Sequence, residues 1–471
     1  MTSTTTGQFL ELPPILSPEA LRPEDARAFL EKHPTVQGID VVMSDCHGIG
    51  RGKHIRRHEL AALYISGRPM PASLFGQDVA GDDVMATGLV LSDGGGDKRC
   101  WPIPGTLGLQ PHVNRGQVLV SMYEPDGKPC AADPRHALVR QCDRARELGM
   151  VPMGAFELEF YLVDRKRDTN GRYHPARYVL TGRRANARNT MSVDELDQMS
   201  PLFEAIYEGA GELGVPLESL ISEYAVGQYE LTIRYRDLLR AADDIIMTKR
   251  LIRSVARRFG LEACFMAKPF GHQAGSGMHL HLSLADDQGR NLFADLAGGR
   301  LNGRLLQSIG GVRRSIADTM LILAPHLNSW RRFASAVYSP VSDLWGLENR
   351  TVAIRVPRTL GEARHLEHRL PGTDTNPYLV AAVTLAAALD GISAELDPGP
   401  PTEGNGYSEG HPPGLPRSWL EAIDRCDQSE FVRGVLGEVL HKALIAIKRA
   451  EWQRMAVEVS EAEWELYGFV V

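Results

Sequence analysis

The chain has no paired cysteines. Cys46, Cys100, Cys130, Cys142, Cys264 and Cys426 are scattered, with no Cys-x-x-Cys spacing among them. That excludes a zinc knuckle and a disulfide framework, and it suits a reducing, cytoplasmic setting. The first residues, Met-Thr-Ser-Thr-Thr-Thr-Gly, lack a basic start and an apolar stretch, so no signal peptide is expected. Long hydrophobic runs are also missing. The longest, Tyr378 to Leu389, is too short to cross a bilayer and reads as a buried helix, so no membrane partner is expected. No Lys/Arg-rich run stands out and the net charge is −7, which argues against a nucleic-acid partner. No internal repeat is visible. What remains is ordinary globular protein: 471 residues, 43% hydrophobic and 24% charged. At roughly 100–200 residues per domain, two or three domains are expected, or one small and one large.

Residues 1–23 are polar and carry prolines, as a loose arm would, and Pro23 to Lys32 has a helical pattern. Strands are predicted at Gly38 to Asp45, Arg51 to Ile55, Val84 to Leu91 and Gln117 to Met122, giving a small sheet around one helix. Helices are predicted from Pro134 to Leu148, Asp243 to Phe259 and Gly299 to Leu323, and over most of the tail from Ser418. The Arg and Lys residues within Asp243 to Phe259 read as a solvated face. The Gly/Pro-rich stretch from Pro398 to Pro416 reads as a surface loop.

Chemistry gathers in five places. Gly275-Ser276-Gly277-Met278-His279-Leu280-His281-Leu282-Ser283-Leu284 begins with small residues and then alternates with period two. His279, His281 and Ser283 therefore share one strand face, either as a metal and phosphate edge or as a wet face. Gly154 to Leu162 is an apolar strand interrupted by Glu157 and Glu159, again on one face. Two carboxylates that close raise each other's pKa unless a cation lies between them, and oxygen ligands suit Mg²⁺ or Mn²⁺. Glu223 and Glu230 flank a Gly227-Gln228 turn. Arg350 and Arg355 lie in an apolar stretch read as a strand, where guanidinium groups recruit phosphate or carboxylate or form structural salt bridges. Arg364-His365-Leu366-Glu367-His368-Arg369 adds an acid and bases at alternating positions, ahead of Asn376-Pro377-Tyr378-Leu379.

Taken in order, these motifs resemble the glutamine synthetase family across nearly the whole chain. The resemblance implies an α+β fold: an arm over 1–28, a small β-grasp domain over 29–125, and a large catalytic domain over 126–471 with a curved antiparallel sheet. It further implies a cytoplasmic homo-oligomer, a dodecamer of two stacked hexamers with active sites between subunits. By motif match, Glu159, Glu223 and Glu230 would bind a first metal ion, and Glu157, His279 and Glu367 a second. Arg332, Arg350 and Arg369 would handle glutamate and the transferred phosphate, with Gly275 in the glutamate loop. His281, Ser283 and Arg355 would contact the nucleotide. The implied reaction takes L-glutamate, ATP and Mg²⁺ or Mn²⁺, and passes through γ-glutamyl phosphate.

The chain also departs from glutamine synthetases. Tyr338 stands six residues after Arg332, where they place a flap glutamate, and Phe75 aligns with an aspartate expected at the ammonium site. Losing two anions removes a cage for a small cation, and two aromatics suggest an apolar slot. These changes, with Phe265 to Pro269, Asn328 to Phe333 and the Trp345 to Ala353 stretch, resemble the γ-glutamylpolyamine synthetase branch of the family. The expected acceptor is thus a primary amine, foremost a polyamine such as putrescine. Ethanolamine, an alkylamine or aniline, ammonia, and an inactive nitrogen-sensing scaffold are the alternatives. Glu223 is a candidate proton acceptor, and Asp78, Asp82 and Asp83 are candidates to hold a diamine's far end. Ala274 replaces an asparagine usual in the glutamate loop and His365 an arginine near the nucleotide, without touching a matched metal ligand. The setting of Tyr407 does not match the site at which some members are adenylylated.

Overall fold

The computed structural model describes residues 21–91, 94–185, 187–296, 299–334, 339–359, 361–409 and 415–471. Tyr338 lies outside them, as do residues 1–20 of the arm.

Helix α1 (Pro23–Lys32) leads into a six-stranded sheet, counted among the described residues, of β1 (Gly38–Ser44), β2 (Gly50–Arg56), β3 (Arg68–Pro71), β4 (Asp97–Pro102), β5 (Gly108–Gln110) and β6 (Arg115–Tyr123). Only β1 and β6 pair in parallel; the other neighbours are antiparallel. Ala26 and Phe29 of α1, with Leu60, Leu63 and Tyr64 of α2 (Leu60–Ser66), share one core with Ile39, Val41, Val118 and Val120 of the strands. The strand expected over Val84 to Leu91 does not form. Thr87 donates its hydroxyl and its backbone N–H to the Val84 carbonyl (2.7 and 3.1 Å) and closes a short 3₁₀ turn, Met85–Thr87. Such local bonds compete directly with a sheet ladder.

After α3 (Pro134–Glu147), a nine-stranded sheet among the described residues is built on the 14-residue strand β7 (Val151–Asp164). Its other strands are β8 (Leu217–Ser222), β9 (Gln228–Ile233), β10 (Arg236–Asp237), β11 (Leu261–Cys264), β12 (Met278–Ala285), β13 (Trp345–Leu347), β14 (Ile354–Val356) and β15 (Leu366–His368). The order is β13-β14-β15-β12-β7-β9-β8, with β10 and β11 also on β7. Period two sorts the faces. Phe156, Leu158, Phe160 and Leu162 of β7, Met278, Leu280, Leu282 and Leu284 of β12, and Tyr229, Leu231 and Ile233 of β9 are all buried in the main core. Each such side chain contributes about 1.5–3 kcal/mol, which pins the register. The residues between them, Glu157, Glu159, Glu230, His279 and His281 included, are forced onto the opposite face.

The core face is covered by α3, α4 (Val193–Glu212), α5 (Leu238–Arg258), α6 (Gly303–Leu323) and α8 (Pro377–Ser393), with the short α7 (Leu327–Trp330) before β13. α8 holds the longest apolar run and is buried from Pro377 to Leu389, as a helix hydrophobic all round must be. Asn376 caps it, accepting the N–H groups of Tyr378 (2.9 Å) and Leu379 (3.3 Å), and Pro377 sits where no donor is needed. Two helices start away from the predicted positions, Asp243 and Gly299, because their caps lie outside the apolar pattern. α5 begins at Leu238 on an Asp237 cap, and α6 at Gly303 on an Asn302 cap. The tail forms α9 (Trp419–Gln428), α10 (Glu430–Leu436), α11 (Glu438–Ala456) and α12 (Glu461–Tyr467). Among the described residues no helix is long and apolar enough to cross a membrane.

Candidate active site

The strand register assembles the site. Across β7 and β12, His279 faces Glu157; across β7 and β9, Glu159 faces Glu230. Glu367 of β15 lies opposite His281 on one side and Arg355 of β14 on the other. Directly opposed residues stand about 4.5–5.5 Å apart between Cβ atoms, so four acids and two imidazoles form one band. The β8–β9 turn brings Glu223 to its edge; Gly227 takes φ +72° there. Gly277, before β12, donates its N–H to Glu159 Oε2 at 2.8 Å. A Cβ at Gly277 would come within 2.7 Å of His279 Nε2 and 2.8 Å of Arg332 Nη2, so a side chain there displaces the imidazole and the guanidinium.

The charges in this band are balanced unevenly. Burial raises Glu157, but hydrogen bonds from His279 (Nδ1–Oε2 3.2 Å) and His281 (Nε2–Oε1 3.1 Å) outweigh it and hold the carboxyl well below the usual range. Burial also raises Glu367, yet Arg369 against it, then His281 and His279, bring it down to about 2. Arg355 donates to the other Glu367 oxygen at 2.9 Å. Among the described residues no imidazole or guanidinium hydrogen-bonds Glu159 or Glu230. Burial and the Glu223 charge push Glu159 up to about 7. Burial, then the charges of Glu157, Glu159, Glu223 and Glu367, push Glu230 up to about 10. Glu223 is raised by burial too, with Arg350 opposing the rise. His279 falls to about 4 through burial and Arg369, which leaves it neutral. Its Nε2 is buried without a hydrogen-bond partner, 3.7 Å from Glu159 Oε1. An orphaned imidazole nitrogen beside carboxylates that repel one another is the donor set a divalent cation satisfies. Glu157, His281 and Glu367 likewise offer ligand atoms within 4.8 Å of one another.

Two cavities open on the band. The first, ≈ 530 Å³, is lined by Glu157, Glu159, Glu223, Glu230 and His279 together with Gly275, Arg332, Arg350, Arg355 and Arg369. The second, ≈ 480 Å³, holds His281, Ser283, His365 and the half-exposed ring of Tyr235, and Glu157 lines it as well. The two chambers therefore meet at one carboxylate. Arg332 is buried and donates to the carbonyls of Leu370 (2.7 Å) and Arg369 (3.2 Å).

Arg355, expected at the nucleotide with His281 and Ser283, lines the first cavity and pairs with Glu367 and Glu348. Other expectations need correction. Arg350 is not in a strand: Asn349 folds an Asx turn onto Thr351, and β14 starts only at Ile354. Phe75 is fully buried in the N-terminal core, because a large apolar ring on a short 3₁₀ turn gains more by filling that core than by facing water. Its side chain is not available to wall a substrate slot. Asp78 is buried, caps the N–H groups of Ala80 and Asp82 (both 2.9 Å) and lies 3.3 Å from Arg454 of α11. Asp82 pairs with the same arginine, and Asp83 accepts from Gln77 at 3.1 Å. None of the three lines either cavity.

The structure adds residues that had no assigned role. The Gln228 amide nitrogen reaches Glu159 Oε2 (3.3 Å), the Gly275 carbonyl (2.9 Å) and Ser276 Oγ (3.2 Å), tying three motifs together. In the sequence its place between Glu223 and Glu230 is its only signal. Tyr235 bonds Ser283; an aromatic just past a strand end carries no sequence signal. His365 Nε2 meets His281 Nδ1 at 2.9 Å.

Residues 131–467 match the family model described as glutamine synthetase, catalytic domain. The chain is 36% identical over 451 residues to gamma-glutamylputrescine synthetase PuuA of Escherichia coli strain K12, covering 94% of each. It is 33% identical over 387 residues to glutamate–isopropylamine ligase of a Pseudomonas species, covering 81% of this chain and 83% of that one. The solved GmaS/ADP complex superposes with a TM-score of 0.80 at 28% identity, over 94% of this chain and 98% of that chain. The acid band, the two joined chambers and these matches lead to one conclusion: this chain belongs to the glutamine synthetase family of carbon–nitrogen ligases.

Proposed function

We propose that the protein joins the γ-carboxylate of L-glutamate to a primary amine at the expense of ATP, with a polyamine such as putrescine as acceptor. The observation that carries this is the meeting of two cavities at Glu157, one rich in arginine and acid, the other apolar-walled with an imidazole pair. Glutamate sits in the first, against Arg332, Arg350 and Arg369. ATP sits in the second, against His281, Ser283 and Tyr235. A carboxylate is a poor electrophile, so its γ-oxygen first attacks the terminal phosphoryl group of ATP and ADP leaves. The amine then attacks the acyl carbon, phosphate leaves, and the amide forms.

The donor set fits two or more Mg²⁺ or Mn²⁺ ions. Glu159, Glu223 and Glu230 would hold one, and Glu157, Glu367 and His279 another, with His281 within reach of the same pair. Bound there, the ions supply charge neutralisation for phosphoryl transfer. The protein's own arginines orient the γ-carboxylate and the departing phosphate. An alkylammonium with a lysine-like pKa is only about one part in 2,500 neutral at pH 7, a cost of roughly 4.6 kcal/mol, so a base must take its proton. Glu223, at the rim of the first cavity and raised by burial, is placed to do so.

The division into arm, β-grasp domain and catalytic domain, and a cytoplasmic homododecamer with shared active sites, belong to the same proposal. Support for assembly comes from the C-terminal end, where Trp464, Leu466, Tyr467, Phe469 and Val471 are all exposed. Light scattering at working concentration is expected to show a particle of about twelve chains; a monomer refutes that part.

A singly charged alkylamine is the second reading. It is favoured by the observation that two of the three aspartates expected to hold a diamine's far end, Asp78 and Asp82, already serve Arg454, which leaves Asp83 alone of the three without an arginine partner among the described residues. Comparing kcat/KM for putrescine, spermidine, ethanolamine, methylamine, aniline and ammonium under one set of conditions decides. Putrescine leading supports the proposal, and a monoamine leading supports the second reading. A lead for ammonium overturns both.

A further inference from the structure

Lys249, Arg253 and Arg257 recur every fourth residue on α5, so they share one face of that helix. Read from sequence, this was a solvated stripe. In the structure it faces the first sheet across a cavity of ≈ 340 Å³, lined also by Asp40, Gly48, Gly50, Gln110, Arg115, Arg250 and Ser254. The walls carry five cationic side chains and one carboxylate, in a chain whose net charge is −7. Part of that charge is matched: Arg250 pairs with Asp40, and Arg257 lies 3.1 Å from Glu262. Arg253 and Arg115 have no hydrogen bond or ion pair among the described residues. Arg253 is half-buried and held over the Phe265 ring at 4.7 Å, which fixes its direction. Lys249 is buried and spends two of its three donors on the carbonyls of Thr373 (2.6 Å) and Thr375 (3.2 Å). Burial and the Arg253 charge lower its ammonium to about 7. Burial lowers Arg253 as well, and Arg257 adds to it.

The five cations repel one another around a single carboxylate, and the half-buried Arg253 has no carboxylate within ion-pair distance among the described residues. An anion relieves all of them at once. The volume lies at the lower end of small-molecule sites, which suits a small ligand. Planar guanidinium groups favour oxyanions held through two parallel bonds.

We propose that this cavity is a second ligand site, distinct from the active site, that binds a small dianion: inorganic phosphate or a short dicarboxylate. The ligand bridges the first sheet and α5. Through Lys249 it touches the Thr373–Thr375 loop, which follows Arg369.

Calorimetry of the full chain in metal-free buffer at constant ionic strength tests this, with inorganic phosphate and succinate as separate probes. The active-site arginines are the same in wild type and Arg253→Gln. The expected result is therefore that the variant loses one binding equivalent per chain, or binds it at least ten-fold more weakly. Phosphate alone behaving so identifies an oxyanion site, and succinate alone a dicarboxylate site. Should Arg253→Gln fail to fold, the exposed Arg115→Gln is read by the same criterion, with at least three-fold weakening expected. Equal stoichiometry and affinity in wild type and variant, or no binding of either probe to wild type, overturns the proposal.

Discussion

Loading the acid band with a divalent cation is expected to expel about one to two protons per chain at pH 7, because metal-bound carboxylates must be ionised. Glu159, pushed to about 7, is half protonated in the metal-free protein, and Glu230, at about 10, is protonated. Glu157 and Glu367 are held low by imidazole and guanidinium partners and contribute none. The sign for stability follows. A carboxyl raised in the fold stabilises it fully below its unfolded value and loses that contribution as pH rises through the folded value. For Glu159, the rise from 4.5 to about 7 is worth about 3 kcal/mol. Metal-free protein is therefore expected to lose stability from pH 4.5 to about 7 through Glu159 and onward to about 10 through Glu230, and the increment added by Mn²⁺ or Mg²⁺ to grow over the same range. Titration calorimetry in buffers of different ionisation enthalpy counts the protons, and thermal melts with and without chelator follow the stability. Glu159→Gln is expected to lower the release towards one and to reduce the stability slope between pH 4.5 and 7, Glu230 supplying what remains. No proton release between pH 6 and 8.5, or a metal-free protein that gains stability with rising pH, refutes the reasoning.

Glu159→Ala and His279→Ala are each expected to abolish turnover while circular dichroism stays native, with the Glu159 change costing more; near-normal turnover removes that residue from the site. Arg369→Ala strips the buried Glu367 of one guanidinium and is expected to cost about 3–5 kcal/mol in denaturant unfolding. The depressed Glu367 value also means that wild type keeps this contribution above pH 4.5 and loses it as pH falls towards about 2; in the variant that acid limb is smaller, with Arg355 and the two imidazoles still in place. Gly277→Ala drives a methyl group into His279 and Arg332 and is expected to lower kcat at least 100-fold with a small change in melting temperature; wild-type kcat shows that the strand adjusts freely.

Much of the site was legible because its signals are local. Alternation in β7 and β12 sets Glu157, Glu159, His279 and His281 on faces opposite Phe156, Leu158, Met278 and Leu280, and period two needs no knowledge of partners. The Asn376-Pro377 pair reads as a helix start on cap chemistry alone. Other features depend on what lies across from a residue. That His281 comes as close to Glu157 as His279 does is a matter of register between strands more than a hundred residues apart. Phe75 turns inward, and Asp78 and Asp82 meet Arg454, because distant segments bring a core and a counter-charge to them. The cationic stripe of α5 looks solvated by its helical period, and only the packing of the first sheet against it makes a cavity. The sequence determined which face of each strand and helix a residue occupies; the tertiary structure decided what that face meets, because long-range pairing is selected by summed burial and charge, which no local pattern records.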